Sequence, residues 1–330
     1  MAVKKEAYLF LSAMLRAREP AMLSREKAER MLDAASFEDC AKLLTDCGYE
    51  DMSQWKAGEI EQALAERRTA VCAELERLVP DRALVDFFRL KYDYHNAKVC
   101  LKSEAQGLEE SALLSLSGRV APAKLQQCIR EDDYQELPPA FAQAVREAGT
   151  VLARTANPQL ADFALDKACF AEMSALAEKL DSKFLKGYVA ILADSTNLRS
   201  AVRTMRMGKD SGYLQEALVP GGSVEGRRLC AAAGGEGLTS LFGSSRLSEA
   251  AALGAQAAEG GTMTAFELAC DNAVNGYLAE AKLVGYGEEP VIAYLAAVEN
   301  EITAVRMILT GRLAGIEPQV IRERLRDLYA

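Results

Sequence analysis

The fifteen residues DYHNAKVCLKSEAQG (Asp93–Gly107) place an acid, an imidazole, an amide and a thiol close together, and they hold the only histidine of the 330-residue chain. An enzyme built on this stretch would use His95, Asp93 and Cys100. General acid–base work then requires a positioned partner and a pocket. The decisive question is whether the same chemistry recurs wherever the surrounding pattern recurs.

The pattern does recur. DSTNLRSAVRTMRMG runs from Asp194 to Gly208, and AVENEITAVRMILTG from Ala297 to Gly311. With the asparagines Asn96, Asn197 and Asn300 in register, each copy has a cation six residues on, at Lys102, Arg203 and Arg306. Each has a glycine eleven residues on, at Gly107, Gly208 and Gly311. A small residue follows each asparagine by four (Cys100, Ala201, Ala304) and an aliphatic by five (Leu101, Val202, Val305). The copies stand 101 and 103 residues apart. His95 is replaced by Thr196 and Glu299, so the histidine reads as a solvent-facing or packing residue, and no catalytic residue is assigned.

What positions these residues is a helix with a buried stripe. Asparagine is a poor helix former in mid-helix, so a buried amide there needs hydrogen-bond partners, expected on a neighbouring helix. Asp93 and Asp194 precede the asparagines by three, on nearly the same face, whereas the third copy has Ala297, which makes the acid optional. The cation is expected to favour the helix dipole, and the glycine to end the helix. A long amphipathic segment leads into each copy (residues 59–79, 160–180 and 266–284), and the two helices are expected to pack as an antiparallel pair. The period is that of a domain rather than a solenoid repeat. It predicts an all-α chain of three similar helical domains, at 1–113, 114–216 and 217–330.

The rest of the chain reads as helical too. SREKAERMLDAA starts on a capping Ser24, and SFEDCAKLLTDCG has Ser36 with an acid three residues on and a stop at Gly48. EIEQALAERRTAVCAELERLVP sets Ile60, Leu64, Val71, Leu75 and Leu78 among charges. The stretch 220–261, rich in Gly, Ala and Ser, reads as short helices with mobile connections. Its GGSVEGRR echoes a phosphate loop, but Arg227 and Arg228 replace the lysine and hydroxyl, so nucleotide binding is not expected. GIEPQVIRERLRDLY (315–329) mirrors GRVAPAKLQQCIRED (118–132), as if a further unit begins and closes against the N-terminal helix.

Composition narrows the function. A net charge of -9 argues against nucleic acid and against an anionic lipid surface as partners. The apolar run AYLFLSAML (7–15) is too short to span a bilayer and, with no small-residue cleavage site after it, reads as a first amphipathic helix. The eight cysteines form no C-x-x-C pair and read as small buried thiols, so neither a metal site nor a cofactor is expected.

KYDYHNAKVCLK (91–102) resembles the Asp-x-x-Asn segment of the C subunit of prokaryotic A/V-type ATPases, relatives of the eukaryotic V-ATPase d subunit. Residues 290–329 are similar to that family's C-terminal signature, with a Glu-x-x-x-x-Arg core at Glu301 and Arg306. Tyr8, Arg16 and Arg18 fit its N-terminal pattern. The resemblance implies a funnel-like, pseudo-threefold arrangement of the three domains. It implies a non-catalytic central-stalk rotor part that seats the shaft of D and F subunits and rests on the membrane rotor ring. It places the chain at the cytoplasmic face, peripheral to the membrane, with no small-molecule substrate. The alternative from the residues alone is a free cytosolic helical-repeat scaffold.

Overall fold

The computed structural model describes residues 3–107, 113–232 and 235–330. Helices succeed one another throughout: α1 (Leu9–Arg18), α2 (Arg25–Asp33), α3 (Phe37–Lys42), α4 (Ala57–Leu78), α5 (Ala83–Gln106), α6 (Pro122–Glu131), α7 (Pro139–Thr155), α8 (Pro158–Lys179), α9 (Lys183–Arg206), α10 (Ser211–Ala217), α11 (Gly226–Ala231), α12 (Gly235–Phe242), α13 (Ser248–Ala258), α14 (Met263–Ala279), α15 (Glu288–Leu313) and α16 (Pro318–Arg322). The described residues contain no strand, and the chain is all-α. Local signals set the boundaries. Ser24 Oγ accepts the Lys27 N–H, and Ser36 exchanges hydrogen bonds with both the amide and the carboxylate of Asp39. The segment after α3 stops at Gly48, in the left-handed region at φ 74°. The stretch 220–261 carries α11, α12 and α13.

Two compact units divide the chain. One joins the residues up to Asp81 with Leu238–Ala330; the other is Arg82–Gly237. In the first unit α15 is the central helix. Its residues Pro290–Val298 are buried without interruption, as befits a helix that is apolar all round. It meets α1, α2, α3, α4, α14 and α16. The first and last segments of the chain are sewn together here. Ser12 Oγ donates to the Gly287 carbonyl and accepts the Gly287 N–H. Arg16 bonds Glu19, the Tyr329 hydroxyl and the carbonyls of Ala281 and Val284. Arg322 of α16 pairs with Glu29 at 2.6 Å and Asp33 at 2.8 Å on α2.

In the second unit α8 packs on α5, α7 and α9. Its buried residues, Ala161, Leu165, Cys169, Met173 and Ala177, recur every four positions and form a single ridge. Each buried leucine of this kind contributes about 1.5–3 kcal/mol. Phe87, Phe88 and Tyr188 cluster between α5 and α9, with ring centroids 5.2–6.1 Å apart.

Two expectations need correction. The long helices α8/α9 and α14/α15 pack together, but α4 and α5 belong to different units: α4 lies on α15 and α5 on α8. A helix apolar on one stripe pairs with whichever neighbour completes its burial, and adjacency in sequence does not decide it. On α4 the buried stripe is Ile60, Leu64, Arg68, Cys72 and Leu75, while Leu78 is exposed. Arg68 stands inside the stripe because its guanidinium finds the Glu299 carboxylate at 3.0 Å.

Candidate functional site

The three mid-helix asparagines sit on α5, α9 and α15, Asn96 and Asn197 in one unit and Asn300 in the other. The Asn96 amide nitrogen donates to the Ser115 carbonyl at 2.8 Å, and its oxygen accepts the Ser115 N–H at 2.8 Å. Asn197 does the same to Val219, at 2.9 and 2.8 Å. Each asparagine therefore grips both backbone groups of one residue in the segment that follows its helix. The expected neighbouring helix is not the partner, because the backbone groups inside a helix are already bonded to one another. An extended segment offers its N–H and C=O freely. Such a pair of bonds fixes the segment's register and contributes about 2 kcal/mol.

One turn upstream, the aspartates complete the grip. Asp93, fully buried, accepts the Val120 N–H at 3.0 Å and the Arg119 guanidinium at 2.6 Å. Asp194 accepts the Val224 N–H at 3.1 Å and the Ser223 hydroxyl at 2.5 Å. In both clasps the gripped residues stand in one pattern. From Ser115 to Gly118 to Val120 the steps are three and two, and the same steps lead from Val219 to Gly222 to Val224. The glycine is required by space. A Cβ on Gly118 would lie 2.4 Å from Asp93 Oδ1, and a Cβ on Gly222 would lie 2.4 Å from Asp194 Oδ1. The GGSV that echoes a phosphate loop is thus the gripped segment of the second clasp.

The first clasp contains a buried charge network. Arg119 lies between Asp93 and Glu172, at 2.6 Å from each, and the Tyr94 hydroxyl donates to Glu172 at 2.9 Å. Burial pushes the Asp93 carboxyl up, while the Val120 N–H and Arg119 pull it back. Arg119 is held protonated: burial disfavours its charge, but the bonds to Glu172 and Asp93 outweigh that. A further residue joins from one turn above Asp93, since Arg89 donates to the Gly118 carbonyl at 2.6 Å. Its spacing, i, i+4 and i+7 with Asp93 and Asn96, is the available sequence signal.

The third asparagine has a lighter hold. Asn300, only partly buried, donates to the Asp327 carbonyl at 2.7 Å, and the Asp327 N–H goes to Asn272 at 2.9 Å. Two of the three cations reach an acid on another helix. Lys102 reaches Asp162 at 2.6 Å and Arg306 reaches Glu61 at 2.7 Å. Asp162 and Glu61 are each the fifth residue of their helix, α8 and α4. Arg203 stands in the last turn of α9. Gly107 and Gly208 adopt left-handed φ of 65° and 64° just beyond their helices. Gly311 does not end its helix, which continues to Leu313. It is small because Ile321 approaches where its Cβ would be, and the left-handed turn falls to Gly315.

The residues of a catalytic reading lie as follows. His95 is exposed, with Nε2 2.9 Å from the Leu113 carbonyl. Cys100 is buried and its thiol is pushed up to about 11, which disfavours a thiolate. Asp93 is engaged with the loop backbone.

The chain matches the family described as ATP synthase (C/AC39) subunit over residues 11–324. It is 22% identical to the C subunit of the V-type sodium ATPase of Enterococcus hirae, across 98% of this chain and 99% of that one. It is 24% identical to the C subunit of the A-type ATP synthase of Methanocaldococcus jannaschii, across 99% of this chain and 88% of the relative. The C subunit of the V-type ATP synthase of Thermus thermophilus is 26% identical over 61% of this chain and 64% of its own. With the match running through all three asparagine helices, the chain belongs to the ATP synthase (C/AC39) subunit family.

Proposed function

We propose that this chain is the non-catalytic central-stalk rotor subunit of a V/A-type ATPase. It joins the shaft of D and F subunits to the membrane rotor ring, for ATP-driven ion transport or ATP synthesis. The observation that carries this reading is the family match over residues 11–324, together with relatives named as C subunits that align along nearly their whole length. Two features of the chain fit it. No described helix is long and apolar enough to cross a membrane; the proposed attachment is through protein contacts at the cytoplasmic face. The asparagine and aspartate side chains are committed to holding backbone, which suits a part that transmits force. We further propose three repeats, at 1–113, 114–216 and 217–330, each contributing one clasping helix. No substrate, cofactor or nucleic-acid role is assigned. The test is co-purification from native membranes with this chain as bait: D, F and ring subunits are expected together. Recovery of the chain free of them from intact membranes refutes the reading and favours a cytosolic scaffold.

A further inference from the structure

The third repeat lacks an aspartate at the position of Asp93 and Asp194, where Ala297 stands, yet α15 carries a buried carboxylate one turn further on. Glu301 is 2% exposed. It accepts the Leu23 N–H at 2.7 Å, the Tyr49 hydroxyl at 2.8 Å and Arg67 Nη2 at 3.1 Å. We infer that Glu301 is the third of three equivalent carboxylate latches, with Asp93 and Asp194, and that it latches the last repeat onto the first.

Position in the chain supports the equivalence. Asp93 accepts the N–H of Val120, two residues before α6 begins at Pro122. Asp194 accepts the N–H of Val224, two residues before α11 begins at Gly226. Glu301 accepts the N–H of Leu23, two residues before α2 begins at Arg25. The helix bearing the acid is in each case the long clasping helix, and the gripped amide leads into a helix of another repeat: near the front of the second and third repeats for Val120 and Val224, and after α1 in the first for Leu23. In each case the second carboxylate oxygen takes a side-chain donor: Arg119 or Ser223, the residue just before the gripped amide, for the aspartates, and the pair Tyr49 and Arg67 for Glu301. The cation pairs repeat the same shift. Lys102 of α5 reaches α8 of the following repeat, and Arg306 of α15 reaches α4 of the first.

The displacement along the helix has a chemical reading. Glutamate is one methylene longer than aspartate, and from one turn further along it serves an amide approached from that end. It also explains why α16 resembles α6 in sequence without taking its place. The counterpart of α6 in the latch is α2, and α16 instead packs on α2 through Arg322. By this assignment the first two repeats each hold the segment leading into a helix of their successor, and the third holds the segment leading into α2 of the first.

The experiment is hydrogen exchange resolved to single amides, on the full chain. Glu301→Ala is expected to speed exchange of the Leu23 amide roughly tenfold or more, leaving Val120 and Val224 at wild-type rates. Asp194→Ala is expected to speed Val224 and leave Leu23 unchanged. Glu301→Gln, which keeps volume and one acceptor oxygen, gives a smaller rise confined to Leu23 and its neighbours, and it decides the matter should the alanine variant not fold. A Leu23 amide as slow in these variants as in the wild type overturns the inference. So does a uniform rise at all three amides, which would make Glu301 a general core residue.

Discussion

Gly118→Ala tests the clasp through its sign. Gly118 is buried and does not occupy the left-handed region, so alanine faces no backbone strain there. In open space the change would stabilise by about 0.4–1 kcal/mol, because it restricts the unfolded chain. The clasp makes the space closed. The new Cβ meets Asp93 Oδ1 at 2.4 Å and the Asp93 backbone nitrogen at 3.4 Å. That oxygen belongs to a fully buried carboxylate held by Arg119 and the Val120 N–H, so it has nowhere to swing. Overpacking costs about 1–3 kcal/mol. Loss of the Val120 bond to a charged acceptor costs about 1.5–3 kcal/mol. Less the entropic gain, Gly118→Ala should destabilise by about 2–5 kcal/mol. The assay is urea unfolding followed by helical circular dichroism, with m checked for constancy. Gly276→Ala, in mid-α14 with no atom within 4 Å of its Cβ, is the control and should stabilise by roughly 0.5–1 kcal/mol. In an Asp93→Ala background the penalty of Gly118→Ala should vanish, giving a coupling of the size of the penalty itself. A neutral or stabilising Gly118→Ala in the wild-type background refutes the close approach and the clasp with it.

The asparagines should rank by what they hold. Asn96→Ala and Asn197→Ala each strand two backbone groups and should cost about 2–3 kcal/mol, whereas Asn300→Ala loses one partly exposed bond and should cost about 0.5–1 kcal/mol, all read from the same urea curves. The Arg322 bond holds the Glu29 carboxyl below its ordinary value of 4.5. A depressed folded pKa means that Glu29 contributes fully above 4.5 and loses its contribution as pH falls through the folded value. The stability difference between wild type and Glu29→Gln should therefore shrink as the solution is acidified through that range, and a constant difference would remove the pair from the account. His95→Ala should leave ATP-driven ion pumping by the assembled complex unchanged, since among the described residues the exposed imidazole meets only a loop carbonyl, at Leu113.

The sequence made the helices, their caps and the asparagine register legible, because those signals are local. Ser24, Ser36 and Gly48 act within a few residues of themselves. The partners of the asparagines were hidden, because Ser115 and Val219 lie 19 and 22 residues downstream in segments of unlike sequence. The shared G-x-V at Gly118 and Gly222 was the one visible trace, and in the second copy it resembled a phosphate loop. In a fixed register Ala297 makes the acid read as optional, whereas burial selects by reach in space and falls on Glu301. Arg68 on the buried stripe of α4 was obscured for a similar reason: its partner Glu299 is 231 positions away.

The central claim, that the chain couples shaft to ring, is most directly tested by ion transport in membranes stripped of this chain and then resupplied with it. Stripped membranes should retain ATP hydrolysis in the catalytic head but transport no ions, and the purified chain should restore transport. Transport that persists without the chain, or that stays absent when the chain rebinds, would contradict the account.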